Sequence, residues 1–328
     1  MTLVAGKALR AVFGETMAEL GDSNPRIVVL DGDVASSTGA AAFEAAHPDR
    51  FLQMGITEQA MMGVAAGLAT VGFIPVASTF ACFAVGRALD SVRVLIAQPR
   101  LNVKIAGGYS GLLTGMTGKT HQMFDDVAIM RTLPNMTVLA PADEVEAAQA
   151  IRAMVAADGP FYLQVTRESS PVLFGPDYVF EIGRAVRLRT GSDVTLISTG
   201  VQTVRVYEAA EILASRGIQA SVLHVPTVKP IDVDAVVDAA LASGLVVTVE
   251  EQSVLGGLGG AVSEVLSSRY PVPVRRLGLQ DVFGESGPDD ALLAKYRLSP
   301  ATVAADVGAW LRRGPVMPAV QLEGAELR

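Results

Sequence analysis

A few residues in this chain have types and spacing suited to chemistry. The first is Glu58, in the stretch FLQMGITEQAMMGVAAGLA at 51–69. A short extended piece over 51–54 runs into Gly55, and a helix is expected from about Thr57. Thr57 would be its N-cap, with Glu58 in the first turn. Behind it, Met61, Met62, Val64, Ala65 and Leu68 recur at helical spacing, a face expected to be buried against a neighbour. One carboxylate at the mouth of a buried helix can have a raised pKa and hold or pass a proton. On position alone, a first-turn Glu more often complements the helix dipole at the surface.

His121 ends the loop GGYSGLLTGMTGKTHQ at 107–122. A glycine-dense loop can approach a ligand closely, and an imidazole titrates in the range that moves protons near neutrality. The plainer role is lining a helix start. His47, before Pro48, and His224, at a strand exit, read as bland. Phe80 and Phe83 lie three apart on an expected helix, a spacing that usually means core. Asp33 and Ser37, in DGDVASS, follow a strand end, where open α/β sheets place ligand groups or simply turn. Arg10 and Arg167 are the candidates to grip a phosphate through a bidentate guanidinium; each alone reads as a surface arginine.

The elements that must position these groups follow from apolar runs and breakers. The N-terminal stretch MTLVAGKALRAVFGETMAEL reads as an amphipathic helix over 9–20, stopped by Gly21. Strands are expected at 26–30, 74–78, 103–106, 136–140 and 161–165. Helices are expected near 40–46 and at 80–97, 125–132 and 142–157. Residues 168–183, with Pro171, Gly175, Pro176 and Gly183, read as a linker. A second series follows: strands at 193–198, 219–223, 245–250 and 273–276, with helices at 202–215, 232–241, 258–267 and 301–312. The fold class is α/β: two successive open, mostly parallel sheets covered by helices. The expected division is 1–175, 184–314 and a loosely held tail at 315–328.

The chain has 328 residues, half of them hydrophobic, enough for two full cores. A net charge of −8 argues against nucleic acid or an anionic membrane as the main partner. No run of about eighteen apolar residues suggests a membrane span, and the N-terminus does not read as a signal peptide. The single cysteine, Cys82, can form no internal disulfide and reads as a small buried hydrophobe. A reduced, cytoplasmic location is expected.

GITEQAM, followed by GLATVGFIPVASTFACFAVGRALDSVR, resembles the pyrimidine-binding domain of the transketolase family of thiamine-diphosphate enzymes. The resemblance extends from about residue 7 to about residue 306. It implies that Glu58 hydrogen-bonds the cofactor's aminopyrimidine, favouring the imino tautomer that removes the thiazolium proton. It also implies that Phe80 and Phe83 flank that ring, that Asp33 lies near the cofactor, and that Ser37, Arg10 and Arg167 hold a sugar phosphate. His121, in THQ, would touch the reacting oxygens. This chain departs from the family pattern at four places. Gly86 stands at a third aromatic position and Thr117 where an Asp reads a substrate hydroxyl. Tyr109 stands where a second His is frequent and Lys119 where Pro or Ala is common. These leave the cofactor chemistry in place and open the sugar specificity.

VEEQSVLGGLGGAVSEVL at 249–266 and DVFGESG at 281–287 resemble the family's C-terminal domain, which packs and binds no nucleotide. The diphosphate motif GDG…N is absent, and no metal-binding cluster is evident. The resemblance therefore implies half an enzyme. A partner chain would carry GDG…N and most of the contacts to Mg²⁺ or Ca²⁺, in an assembly of two copies of each. The expected reaction is transfer of a two-carbon ketol unit between sugar phosphates. The alternatives are a deoxyxylulose-phosphate-synthase-like enzyme, the β chain of a 2-oxo acid dehydrogenase, and a non-catalytic scaffold. THQ and STFACF favour transketolase, and the joint presence of Glu58 and His121 argues against the scaffold.

Overall fold

The computed structural model describes residues 4–314; the tail expected at 315–328 lies outside them. The chain opens as a strand, β1 (Val4–Ala8), and only then enters the helix Leu9–Ser23, which runs through Gly21. This corrects the reading of the N-terminus as helix alone. β1 pairs antiparallel with β8 (Ser169–Val172), Val4 opposite Val172, a partner 168 positions away that no local period encodes. β8 lies inside the stretch read as a linker.

Seven strands form the first sheet, in the order β12-β6-β7-β5-β4-β2-β3. They are β2 (Ile27–Asp31), β3 (Phe51–Gln53), β4 (Ile74–Phe80), β5 (Lys104–Gly108), β6 (Thr137–Leu139), β7 (Phe161–Val165) and β12 (Thr227–Lys229). All neighbours are parallel except β12, which pairs antiparallel with β6. β2, β4, β5 and β7 are buried along their whole length, so their apolar residues do not alternate with exposed ones, and the polar residues among them, such as Asp31, Ser78, Thr79, Lys104 and Gln164, are buried too. The second sheet has the order β14-β13-β10-β11-β9. Its strands are β9 (Val186–Arg189), β10 (Val194–Ser198), β11 (Ala220–His224), β13 (Val246–Ser253) and β14 (Val274–Leu279). The two mostly parallel sheets, each flanked by helices, are the architecture expected from the sequence. Among the described residues no helix is long and apolar enough to cross a membrane.

The helix Glu58–Thr70 buries Met61, Met62 and Ala65 in one cluster with Val28 and Leu30 of β2. Each such methionine contributes ~1.5–3 kcal/mol by leaving water. Val64, expected on the buried face, is exposed, and Leu68 is half-buried.

His224 is not the bland residue its strand-exit position suggested. It is fully buried, its Nε2 2.7 Å from Glu146 Oε2 and its Nδ1 2.7 Å from Thr203 Oγ1. Glu146 also accepts the Ala142 amide at 2.7 Å and the Tyr178 hydroxyl. Asp143 caps the helix Glu144–Ala156 and accepts the amides of Leu173 and Phe174 at 2.6 and 2.8 Å. One buried polar network thus joins the first half, the 168–183 stretch and the second half.

Candidate active site

In an open parallel sheet, ligands meet the C-terminal ends of the strands, and the candidate residues converge there. Gly55 turns with φ 67°, and the chain passes from β3 into the helix whose first residue is Glu58. Thr57 occupies the N-cap position without capping: its hydroxyl donates to Met54 O at 2.7 Å. Glu58 is buried, at 1% exposure. Arg87 Nη1 donates to its Oε2 at 2.9 Å, while Oε1 is buried without a hydrogen-bond partner. A buried carboxylate oxygen left unpaired is costly, and such groups cluster where a ligand completes them.

Arg87 reaches Glu58 because β4 continues through Phe80 and the following turns are wide. Within the helix expected over 80–97, residues Cys82–Arg87 are wound as a π-helix, while Phe80 still belongs to β4. The Arg87 guanidinium lies over the Phe83 ring at 4.7 Å, and its backbone carbonyl accepts Gln59 Nε2 at 3.1 Å. Phe80 and Phe83 are therefore not on one helical face, yet their rings stack, 5.8 Å apart at 24°. Tyr109 stacks on Phe80 at 4.1 Å, and His121 meets both phenylalanines edge-on at 5.8 and 5.7 Å. At Gly86 a Cβ would meet nothing within 4 Å. Cys82 is half-buried, not fully buried, and that burial pushes its thiol up to about 11.

The phosphate candidates come together near Tyr109. Arg10 donates from Nε to Arg167 O and from Nη1 to Ser37 O, both at 3.2 Å. Arg167 lies 5.5 Å from the Tyr109 ring centre and pairs with Glu168 at 3.3 Å. Two residues do not join them. The Thr117 hydroxyl donates to Thr114 O at 2.7 Å and stays within its own turn. Asp33 is exposed, with φ 67°; its amide donates to Gln53 Oε1 at 2.9 Å.

Sequence reasoning missed Asp31, Ser78, Thr79 and Arg87. Asp31 ends β2 beside Ser78 and accepts the Val34 amide at 2.8 Å and Gln53 Nε2 at 3.1 Å. Its carboxyl pKa is raised by burial. Asp31 Oδ2, Ser78 Oγ and Thr79 Oγ1 are buried without partners. Gly32 lets Thr79 and Glu58 approach: a Cβ there would lie 3.0 Å from Thr79 Oγ1 and 3.9 Å from Glu58 Cγ. The strand-end rule that selected Asp33 applies equally to Asp31, the last residue of a fully buried strand. Arg87 carries no such signal, being 29 positions from Glu58.

The family model described as the transketolase pyrimidine binding domain matches residues 5–172, and that of the transketolase C-terminal domain matches 183–303. The chain is 42% identical over 301 residues to a Methanocaldococcus jannaschii protein assigned as a transketolase C-terminal section, covering 91% of this chain and 94% of that one. It is 40% identical over 305 residues to a 1-deoxy-D-xylulose-5-phosphate synthase of Thermomicrobium roseum, covering 92% of this chain but 48% of the synthase. Among solved structures, one described as a split gene transketolase, inactive beta4 tetramer, superposes with a TM-score of 0.86 at 47% identity, over 94% of this chain and 99% of the other. Matched along two successive domain models and along nearly the full length of relatives, the chain belongs to the transketolase family.

Proposed function

We propose that this chain is the C-terminal-half subunit of a split, thiamine-diphosphate-dependent transketolase acting on sugar phosphates. The observation that carries the reading is Glu58: a buried carboxyl with one oxygen paired to Arg87 and the other unpaired, beside stacked Phe80 and Phe83. A carboxyl oxygen seeking a donor, next to aromatic faces and unpartnered buried hydroxyls, fits an aminopyrimidine ring. Thiamine diphosphate would supply the nucleophilic thiazolium carbon that carries the ketol unit. Glu58 would hold the proton exchanged with a ring nitrogen, and Phe80 and Phe83 would offer apolar faces. Asp33 stays at the rim in this reading, with Asp31 the deeper acid. His121 would move a proton at the sugar oxygens, and Arg10, Ser37 and Arg167 would hold the phosphate end. Tyr109 and the Thr117 turn would shape the sugar pocket, Thr117 through its turn and not through its own hydroxyl. The diphosphate and its Mg²⁺ or Ca²⁺ would rest mainly on a partner chain carrying GDG…N, in an assembly with two copies of each chain, in the cytoplasm.

The test is gentle affinity purification of the chain with its partner, then assay of ketol transfer from a ketose phosphate to an aldose phosphate with thiamine diphosphate and Mg²⁺. Glu58→Gln keeps the shape and removes the carboxylate. Turnover falls by ~10²-fold or more while the assembly stays intact; unchanged turnover in the assembled complex overturns the reading. The similarity to the synthase favours a second reading, formation of a 1-deoxyketose phosphate. Offering pyruvate in place of the ketose phosphate separates the two: the synthase reaction joins its acetyl unit to the aldose phosphate and releases CO2, and mass analysis then finds a product with one oxygen fewer than the ketol-transfer product.

A further inference from the structure

The motif DVFGESG and the residues after it have no part in the site described above, yet they touch it. The loop that begins after β5 and ends at His121 and Gln122 is held from above by residues 284–289. Gly287 N donates to Gly115 O at 3.0 Å, and Gly115 N donates to Asp289 Oδ1 at 2.9 Å, a reciprocal clasp on one loop residue. Gln122 Nε2 donates to Glu285 O at 3.2 Å, just past His121. The fit excludes side chains: a Cβ at Gly115 would lie 2.3 Å from Gly287 O. Gly118, with φ 75°, would place one 2.2 Å from Ser286 Oγ. Gly118 in turn carries the turn that aims His121, since its carbonyl accepts the amides of His121 at 3.0 Å and Gln122 at 3.1 Å.

We infer that Asp289 is a positioning residue for His121. Its carboxylate fixes Gly115, and the turn Gly115–Thr117 passes that constraint through Gly118 to the histidine. The second half of the chain thereby sets the geometry of a loop belonging to the first. A charged acceptor on a backbone amide is one of the stronger hydrogen bonds, and losing it leaves a buried N–H unpaired. The inference rests on the reading of His121 as a sugar-facing group.

Two measurements test it. In the full-length chain alone, Asp289→Ala speeds amide hydrogen exchange at residues 113–122 by about tenfold. Asp289→Asn, whose carbonyl oxygen still accepts the Gly115 amide, stays close to the parent. In the assembled enzyme, Asp289→Ala raises KM for the sugar phosphate about tenfold while affinity for thiamine diphosphate is unchanged, and Asp289→Asn restores KM. Unaltered exchange in Asp289→Ala overturns the inference, as does faster exchange with an unaltered KM. Neither result bears on Glu58→Gln, so failure here and failure of the functional reading remain distinct.

Discussion

Glu251, in β13, makes a sharp test of how the interior is charged. It is 2% exposed, and neither carboxyl oxygen makes a well-formed hydrogen bond, the Leu113 amide being the one backbone donor that eases its charge. It packs against the 107–122 loop, where a Cβ at Gly111 would lie 2.7 Å from its carboxyl carbon. Burial pushes its pKa from 4.5 up to about 8, only partly opposed by the Arg205 charge. Between those two values the folded chain holds a proton that the unfolded chain has released, so stability falls as pH rises. The stabilisation is fully present below pH 4.5 and is lost on passing about pH 8. At ~1.4 kcal/mol per pK unit, the full effect is on the order of 5 kcal/mol. Half of that, allowing for relaxation and water entry, moves a urea midpoint by about 1 M at a slope of ~2–3 kcal/mol/M. Glu251→Gln is nearly isosteric and cannot ionise. The assay is urea unfolding followed by fluorescence of the single tryptophan, Trp310, at pH 5, 6, 7 and 8. The midpoints of the two chains converge at pH 5, and the variant exceeds the parent progressively towards pH 8. Glu250, raised to about 7, is present in both chains, and Asp126, raised to about 6, is one of the charges that lift Glu251, so its repulsion is part of what the substitution removes. Parallel midpoint curves would refute the reasoning.

Arg87→Leu leaves the buried Glu58 carboxyl without its cation. Affinity of the assembled complex for thiamine diphosphate falls about tenfold by calorimetry, the worth of one charged hydrogen bond, and unchanged affinity would count against the ion pair's role. Glu146→Ala strips His224, Tyr178 and the Ala142 amide of one shared acceptor. Thermal and urea unfolding then show a loss of ~3–5 kcal/mol, whereas a loss below ~1 kcal/mol would mean that the network relaxes or takes up water.

The sequence made the strands legible wherever burial is two-sided. β2, β4 and β7 are buried from end to end and mostly apolar, so their runs stand out, and the helices between them follow from spacing and breakers. What it hid depends on partners far along the chain. Val4–Ala8 has the local pattern of the helix that follows, and it becomes a strand only because Ser169–Val172 lies beside it. Phe80 looked helical because Phe83 sits three residues later, yet the strand runs on through it and the π-turn begins only at Cys82. Glu146 and His224 are 78 positions apart and belong to different sheets' layers, so neither residue type announces the pair. Glu58 was legible through its motif; its cation was not, because the π-turn that delivers Arg87 carries no compositional mark.

The same contrast explains why the candidate site could be read at all. Asp31, Phe80, Tyr109 and Arg167 are scattered over 137 positions, but each ends a parallel strand of one sheet or follows such an end closely. A parallel sheet brings those ends to one edge whatever the intervening helices contain, so strand-end residues can be collected from sequence without knowing a single contact. That rule gathers the residues but does not orient them. Orientation comes from contacts it does not see: Arg87 on Glu58, Tyr109 on Phe80, and Asp289 on Gly115. Each joins residues at least 29 positions apart. Substitutions at these orienting residues should therefore change affinity and KM more than they change the fold, whereas substitutions within β2 or β4 should do the reverse.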